Sequence, residues 1–466
     1  MKKLLTFSIV FALVCATVFA EVTVTAGAGM SFIPLGVVIK PDDDDPDTDD
    51  GPAAVAGFGR GGGAATEIQV NVEGATESGK AGFKFQWRPK IAGSTLTSEI
   101  GDNAGIWYKP LDWIRLDAGR FTNNDIRGKV GNSAWFGDYL IPRTGESDIF
   151  TNFGAKAAAM LTVKPEALAG LSVYALVNNM VDTYGNWAEE GSNKFAWGGS
   201  KGAEWVWQNT QAAVAYDLPN IGLVRVQFVG SPLVSPSESE TKKYEAVING
   251  KLQEIEITTK EAGEPGFNAH RFELAFAYTG MEGLTIDVGG RVYLPVKDPQ
   301  FDADLWNDKY EVKNYSYWKG IGFALGAKYV TGALTANFII GASGIADTVT
   351  NEMEVGKKKE TTNAFVLKPY VAVQYKLNDT FTAQLEGGVQ FTGDKEEKTT
   401  IGGTSTTDTT EGALAYGFGL GLQTTLAPDC TIKTGLTFVG GTTPGTPDNK
   451  DLHGVFSVPI IFSVSF

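Results

Sequence analysis

The chain is predicted to be all-β: about 18 antiparallel strands, with 16 as the lower bound, joined up and down and closed into a barrel. Three observations carry that reading. Residues 454–466 place Phe456, Val458, Ile460, Phe462, Val464 and Phe466 on one parity and Ser457, Pro459, Ile461, Ser463 and Ser465 on the other. Alternate residues of a strand face opposite ways, so one side is wholly apolar and the other mostly small and polar. Connections between strand signals alternate between short turns and long polar stretches along the whole chain. Finally, no apolar run beyond residue 20 reaches the roughly 18 residues of a membrane helix.

The first element is Met1–Ala20, where Lys2 and Lys3 precede an apolar run ending at Val18 and Ala20, the small-residue pattern of a cleaved signal peptide. Cleavage there removes Cys15 and leaves Cys430 alone, so no internal disulfide is expected. Residues 21–466 then form one barrel domain. Val22 to Phe32 is a strand; 41–52 is an acidic first loop with Pro41, Pro46 and Pro52, which cannot pair in a sheet. Glu67 to Glu73 and Phe83 to Arg88 alternate polar and apolar residues cleanly. A unit then recurs: strand, short turn, strand, long loop. Turns are expected near 74–78, 110–112, 165–170, 218–221, 280–283, 331–332, 377–379 and 427–429. Long loops are expected over 88–103, 122–153, 180–208, 231–268, 294–317, 343–363, 392–412 and 441–453.

Parity sorts the strands into two faces. Leu284, Ile286 and Val288 oppose Thr285, Asp287, Gly289 and Arg291; Val224, Val226 and Phe228 oppose Arg225 and Gln227; Phe272, Leu274, Phe276 and Tyr278 oppose Arg271, Glu273, Ala275 and Ala277. Charges fall on the inner side, because Lys or Arg at mid-bilayer costs roughly 2 to 4 kcal/mol. The 57 glycines, 11% aromatics and mean hydropathy near zero fit a wall half wet and half in lipid.

The terminal Phe466 after alternating apolar residues resembles the last strand of bacterial outer-membrane β-barrels of the porin type. That resemblance implies short periplasmic turns, long extracellular loops, an outer-membrane location, insertion machinery that reads Phe466, and a passive water-filled channel for ions and small hydrophilic solutes. Homo-oligomers, trimers in particular, are common in the family, although no stretch here marks an interface. The third external loop of porins folds into the lumen, which implies the same for 122–153. The Gly119–Arg120 step before it also resembles several porins.

Candidate pore-lining and constriction residues are accordingly Arg115, Asp117, Arg120, Asp125, Arg127, Asp138, Arg143, Arg225, Arg271, Glu273, Asp287 and Arg291. Arg120 falls on the lipid-facing parity and requires either a rim position or a bulge at Gly119. Basic residues outnumber acidic ones on the inner parity, which points to a weak anion preference although the whole chain carries a net charge of −15. Paired charges across the wall are the alternative. Trp107, Tyr108 and Trp113 near a turn, and Trp205, Trp207, Tyr317 and Trp318 near loops, are expected in interfacial girdles.

Other chemistry is thinly supported. Asp43, Asp45, Asp47 and Asp49 offer carboxylates without the spacing of a Ca²⁺ loop, so a solvated acidic segment is the expectation. With 2 histidines in the chain and no recognised nucleophile motif, catalysis is not expected. No cofactor is expected. The acidity argues against nucleic acid as a partner. The rival function is a surface barrel whose long loops bind a host or matrix ligand.

Overall fold

The computed structural model describes residues 21–39, 53–58, 66–92, 95–123, 125–130, 134–136, 153–178, 210–230, 240–248, 251–259, 269–295, 312–353, 357–441 and 453–465. Residues 1–20, expected as a signal peptide, the acidic run 41–52, Trp187, Trp197, Trp205, Trp207 and Phe466 lie outside the described residues.

Eighteen strands form a closed antiparallel ring. In chain order they are Glu21–Ile39, Thr66–Ala75, Ala81–Ala92, Thr95–Leu111, Ile114–Asn123, Phe153–Val163, Leu171–Asn178, Thr210–Leu218, Gly222–Val229, Ala269–Met281, Leu284–Pro295, Val312–Thr331, Leu334–Met353, Val366–Lys376, Phe381–Thr392, Ala413–Ala427, Cys430–Gly441 and His453–Ser465. Each pairs with the next, and the last returns to the first from Gly27↔Ser465 to Ile39↔Gly454. Closure leaves the wall no free edge, so its backbone donors and acceptors are satisfied within the ring. Pro459, which has no N–H to give, sits where the first strand shifts register between Phe32 and Leu35.

Where the turns are tight, the sequence supplies the residue the backbone needs. Gly283 and Gly332 adopt φ of 74° and 53° in the two-residue turns after Met281 and Thr331. The expected long loops fared differently. Residues 88–103 are mostly strand, because Ala81–Ala92 and Thr95–Leu111 extend beyond the region read as wall. Residues 343–363 and 392–412 hold Lys357–Thr362, Lys395–Ile401 and Thr404–Thr410, and 231–268 holds a separate hairpin of Glu240–Ile248 with Lys251–Thr259. The strands within 343–363 and 392–412 are polar on both parities but for the terminal Ile401, so they lack the one-sided apolar signal that marked the wall. Ala53–Phe58 also pairs back on the first strand, which itself runs through to Ile39.

The two faces of the wall are inverted relative to a water-soluble domain. Leu274 is 59% exposed on the outside while its neighbour Glu273 is 3% exposed on the inside. The same alternation holds for Val226 against Arg225, Val288 against Asp287 and Leu385 against Glu386. Inside, one sector departs from the expected polar lining: Met160, Tyr174, Leu176, Ala213 and Ala215 cluster with Phe153 and Ile126.

Candidate functional site: an anchored inner loop and the cavity beside it

The segment after Asn123 makes contacts with the inner face of the wall over half the ring. Ile126 joins the apolar sector, and its carbonyl accepts a hydrogen bond from Arg225 Nη1 at 3.0 Å. The Val130 amide donates to Asp287 Oδ2 at 2.5 Å, and its side chain lies over Gly326. Farther round, the amides of Trp135 and Phe136 both donate to Glu386, to Oε2 and Oε1 respectively, each at 2.7 Å. Tyr370 and Gln384 complete the ring of donors around that carboxylate.

Phe136 is fully buried in a hole that three glycines leave in the wall. A Cβ at Gly421 would stand 2.5 Å from its ring, one at Gly435 2.7 Å and one at Gly419 3.0 Å. The first two are closer than real Cβ contacts allow and the third is tight, so glycine at these positions is what admits the aromatic side chain. Trp135 meets Phe136 edge-on, with Lys433 Nζ 5.5 Å from the Trp135 ring centre. Two carboxylates and one guanidinium thus hold the backbone at Ile126, Val130, Trp135 and Phe136, and apolar contacts hold the side chains of Ile126 and Phe136.

Between these anchors lies a compact charge cluster. Glu273 forms ion pairs with Arg271 Nε at 2.8 Å, Arg291 Nη2 at 3.3 Å and Arg225 Nη2 at 3.4 Å, and the last also donates a hydrogen bond to it. Buried charge is tolerated only when paired in this way. Arg291 also donates to the Tyr293 hydroxyl at 3.0 Å. Arg127 sits beside Arg225, Ala277 and Asp287.

On the opposite side of the ring, between the first strand and Phe153–Val163, a cavity of about 720 Å³ remains open. Arg115, Asp117, Arg120 and Asp125 all line it, with Lys84, Trp107, Lys109 and Lys164. Arg120 reaches it through the irregularity its parity demanded: Gly119 has φ of 125° and the pairing with Phe153–Val163 shifts between Gly119 and Phe121. Most of the lining charge is paired. Arg115 bonds Asp117 at 2.6 Å, Lys84 meets Glu73 at 2.5 Å, and Lys164 meets Asp125 at 2.8 Å. At the last pair burial pulls the Lys164 ammonium down, but the hydrogen bond to Asp125 together with the Tyr174 and Asp125 charges outweighs it, leaving Lys164 above the usual lysine range. At the turn, the hydrogen bond and charge of Lys80, 2.6 Å away, hold Asp112 below the usual carboxylate range.

Trp107 corrects the girdle expectation. Its partner across the ladder is inward-facing Asp117, its ring lies against Gly82, and Lys109 and Arg115 sit 5.3 and 4.9 Å from its centre. Tyr108, of the other parity, is the outward residue.

Comparison with known proteins gives fold-level likeness alone. No family model matches the chain, and no curated protein matches it. Among solved structures, the outer membrane channel DcaP of Acinetobacter baumannii is 14% identical with a TM-score of 0.42, covering 96% of this chain and 98% of its own. OccK10 (OpdN) of Pseudomonas aeruginosa is 9% identical with a TM-score of 0.45, covering 96% and 99%. OmpT in trimer form, an outer membrane protein of Vibrio cholerae, is 10% identical with a TM-score of 0.37, covering 96% and 100%.

Of the twelve candidate residues, the structure gathers Arg115, Asp117, Arg120 and Asp125 at the cavity and Arg127, Arg225, Arg271, Glu273, Asp287 and Arg291 at the anchored side. Asp138 and Arg143 lie outside the described residues. Sequence reasoning missed Glu386, Phe136 and the glycines under it as a unit. The glycines repeated on one parity of Ala413–Ala427, Gly417, Gly419 and Gly421, were the available signal.

Proposed function

We propose that the chain is a bacterial outer-membrane channel for passive diffusion of small hydrophilic solutes, inserted after removal of residues 1–20. One observation carries the reading: an apolar-outside, charged-inside closed ring holds an inner loop against one side and leaves an aqueous cavity against the other. An exposed belt of Leu, Val and Phe has no stable place in water, whereas charges shielded inside a ring suit a wet lumen.

In this reading Arg115, Asp117, Arg120 and Asp125 border the passage. Arg127, Arg225, Arg271, Glu273, Asp287 and Arg291 chiefly hold the loop and brace the wall behind it. Lys84, Lys109, Arg115, Arg120 and Lys164 against Glu73, Asp112, Asp117 and Asp125 make the cavity slightly basic, which supports a weak anion preference. The test is single-channel recording of the refolded chain 21–466 in a planar bilayer under a salt gradient. Stable steps with a small anion-directed reversal potential are expected; an inserted barrel that gives no steps refutes the channel, and a cation-directed potential refutes the selectivity.

The surface-binding alternative draws on a different observation: polar strands of 357–362, 395–401 and 404–410 project beyond the wall. The two roles are compatible.

A further inference from the structure

Beyond the ring, Lys357–Thr362 pairs with residues 348–352 of the wall strand, Lys395–Ile401 pairs with Lys357–Thr362, and Thr404–Thr410 pairs with Lys395–Ile401. The inner strands are laced by ion pairs, Lys359 to Glu397 at 3.0 Å, Lys395 to Glu397 at 2.7 Å and Lys358 to Glu360 at 2.6 Å. The outermost strand, TSTTDTT, is exposed at all seven residues, and among the described residues nothing pairs with its far edge.

Such an edge presents a row of backbone donors and acceptors to any extended chain. The usual protections are missing: the strand has no Lys, no Pro and no break in register along its length. It also buries no apolar surface of its own. A threonine-rich strand with strong β preference and a single charge is built to be paired.

We propose that Thr404–Thr410 is a homotypic interface, pairing antiparallel with the same strand of a second copy of this chain. The sequence is self-complementary about Thr407. That register sets Thr404 against Thr410, Ser405 against Thr409, and Asp408 against Thr406, so hydroxyls meet hydroxyls and the one carboxylate meets a hydroxyl. Hydroxyl pairing of this kind already occurs on the strand's inner side, where Thr400 and Ser405 stand 2.8 Å apart. A slip of two residues that centres the pair on Asp408 sets carboxylate on carboxylate, which disfavours that register; the opposite slip leaves a shorter ladder. An apolar strand from another protein finds no apolar surface here, and a basic one finds a single countercharge, Asp408, in seven residues. The seven-residue ladder is short, and confinement of both copies to one membrane supplies the effective concentration that a solution dimer of a chain with charge −15 lacks. The proposal needs these residues outside the membrane but does not need the barrel to conduct.

The test is disulfide trapping in intact cells, in a Cys430→Ser background. In the proposed register residue 407 faces its own copy at about 4.5–5.5 Å between Cα atoms, within reach of a disulfide. Thr407→Cys is expected to give a dimer under mild oxidation. Thr404→Cys, about 20 Å from its counterpart at 3.3 Å per residue, is expected to stay monomeric. No dimer from Thr407→Cys overturns the proposal, as do equal dimer yields from both positions, or an adduct of a mass other than twice the chain. Because the substitutions sit on a strand that packs on nothing, heat-modifiable migration of the barrel is expected to be unchanged, and it separates a failed interface from a failed fold.

Discussion

Replacing Glu386 with Ala isolates the far anchor of the inner loop. Two amide-to-carboxylate hydrogen bonds at 2.7 Å are lost, each contributing about 1.5–3 kcal/mol when one partner is charged. What still holds the segment is the burial of Phe136, about 1.5–3 kcal/mol. Against it stands the cost of ordering residues 134–136, about 1–2 kcal/mol of backbone entropy each. With Glu386 present the attractive terms exceed that cost; without it the entropy of three residues matches or exceeds what remains, and the segment detaches. Arg225 and Asp287 still hold residues 126–130, and the wall keeps its ladder, so the barrel folds. The readout is the reactivity of a single thiol at Ala134→Cys, in a Cys430→Ser background, toward a membrane-impermeant reagent. The Glu386→Ala protein is expected to label at least tenfold faster and to show larger or noisier conductance steps. Equal labelling rates in a folded Glu386→Ala protein would refute the anchoring argument. A change in selectivity with unchanged labelling would point to the lost charge alone.

Other outcomes follow from the same geometry. Gly421→Val, which drives a side chain into the Phe136 ring, is expected to free the same segment while leaving the outer wall intact, read by the same thiol. Glu273→Ala leaves three guanidiniums without their shared carboxylate and is expected to destabilise the barrel by about 3–5 kcal/mol, whereas Glu73→Ala, in an exposed pair, is expected to cost about 1 kcal/mol or less; urea unfolding in lipid vesicles compares them. Leu274→Arg on the outside is expected to cost about 2–4 kcal/mol in the same assay, and little change would place that face away from lipid. In the projecting sheet, hydrogen bonds from Lys395 and Lys359 hold Glu397 below the usual carboxylate range, and Lys358 does so for Glu360. A lowered folded value means their contribution is present above the unfolded pKa of about 4.3 and is lost as pH falls through the folded value. Amide exchange in 395–410 is therefore expected to rise below about pH 4, before the wall responds.

The wall was legible because one physical constraint acts on every strand: a residue facing out must be apolar, while its neighbours are free to be polar or charged. Leu274 beside Glu273, and Val226 beside Arg225, state that rule locally, so parity alone recovered it. Arg120 was legible as an exception, since its wrong parity required either a rim position or a bulge at Gly119, and the pairing shift beside Gly119 decides between them. Trp107 was not, because tryptophan satisfies a girdle and a lumen equally well and parity becomes ambiguous near a turn. The loop anchors were beyond reach for another reason. Trp135 and Glu386 are 251 residues apart, and the contact uses a backbone amide, which no side-chain pattern announces. The projecting strands failed because hydrophobic periodicity cannot see a sheet that rests on neither lipid nor core.

The glycine hole beneath Phe136 has a consequence for how barrels with an inner loop diversify. The loop's resting position is written in the surface that receives it, as a gap of three glycines in two adjacent strands, more than in the loop's own residues. Transplanting 125–136 onto a barrel whose wall carries side chains at the positions of Gly419, Gly421 and Gly435 would move the sequence without its address. Conversely, filling one of those gaps evicts the loop while leaving its sequence untouched, so the bore can be retuned from the wall alone.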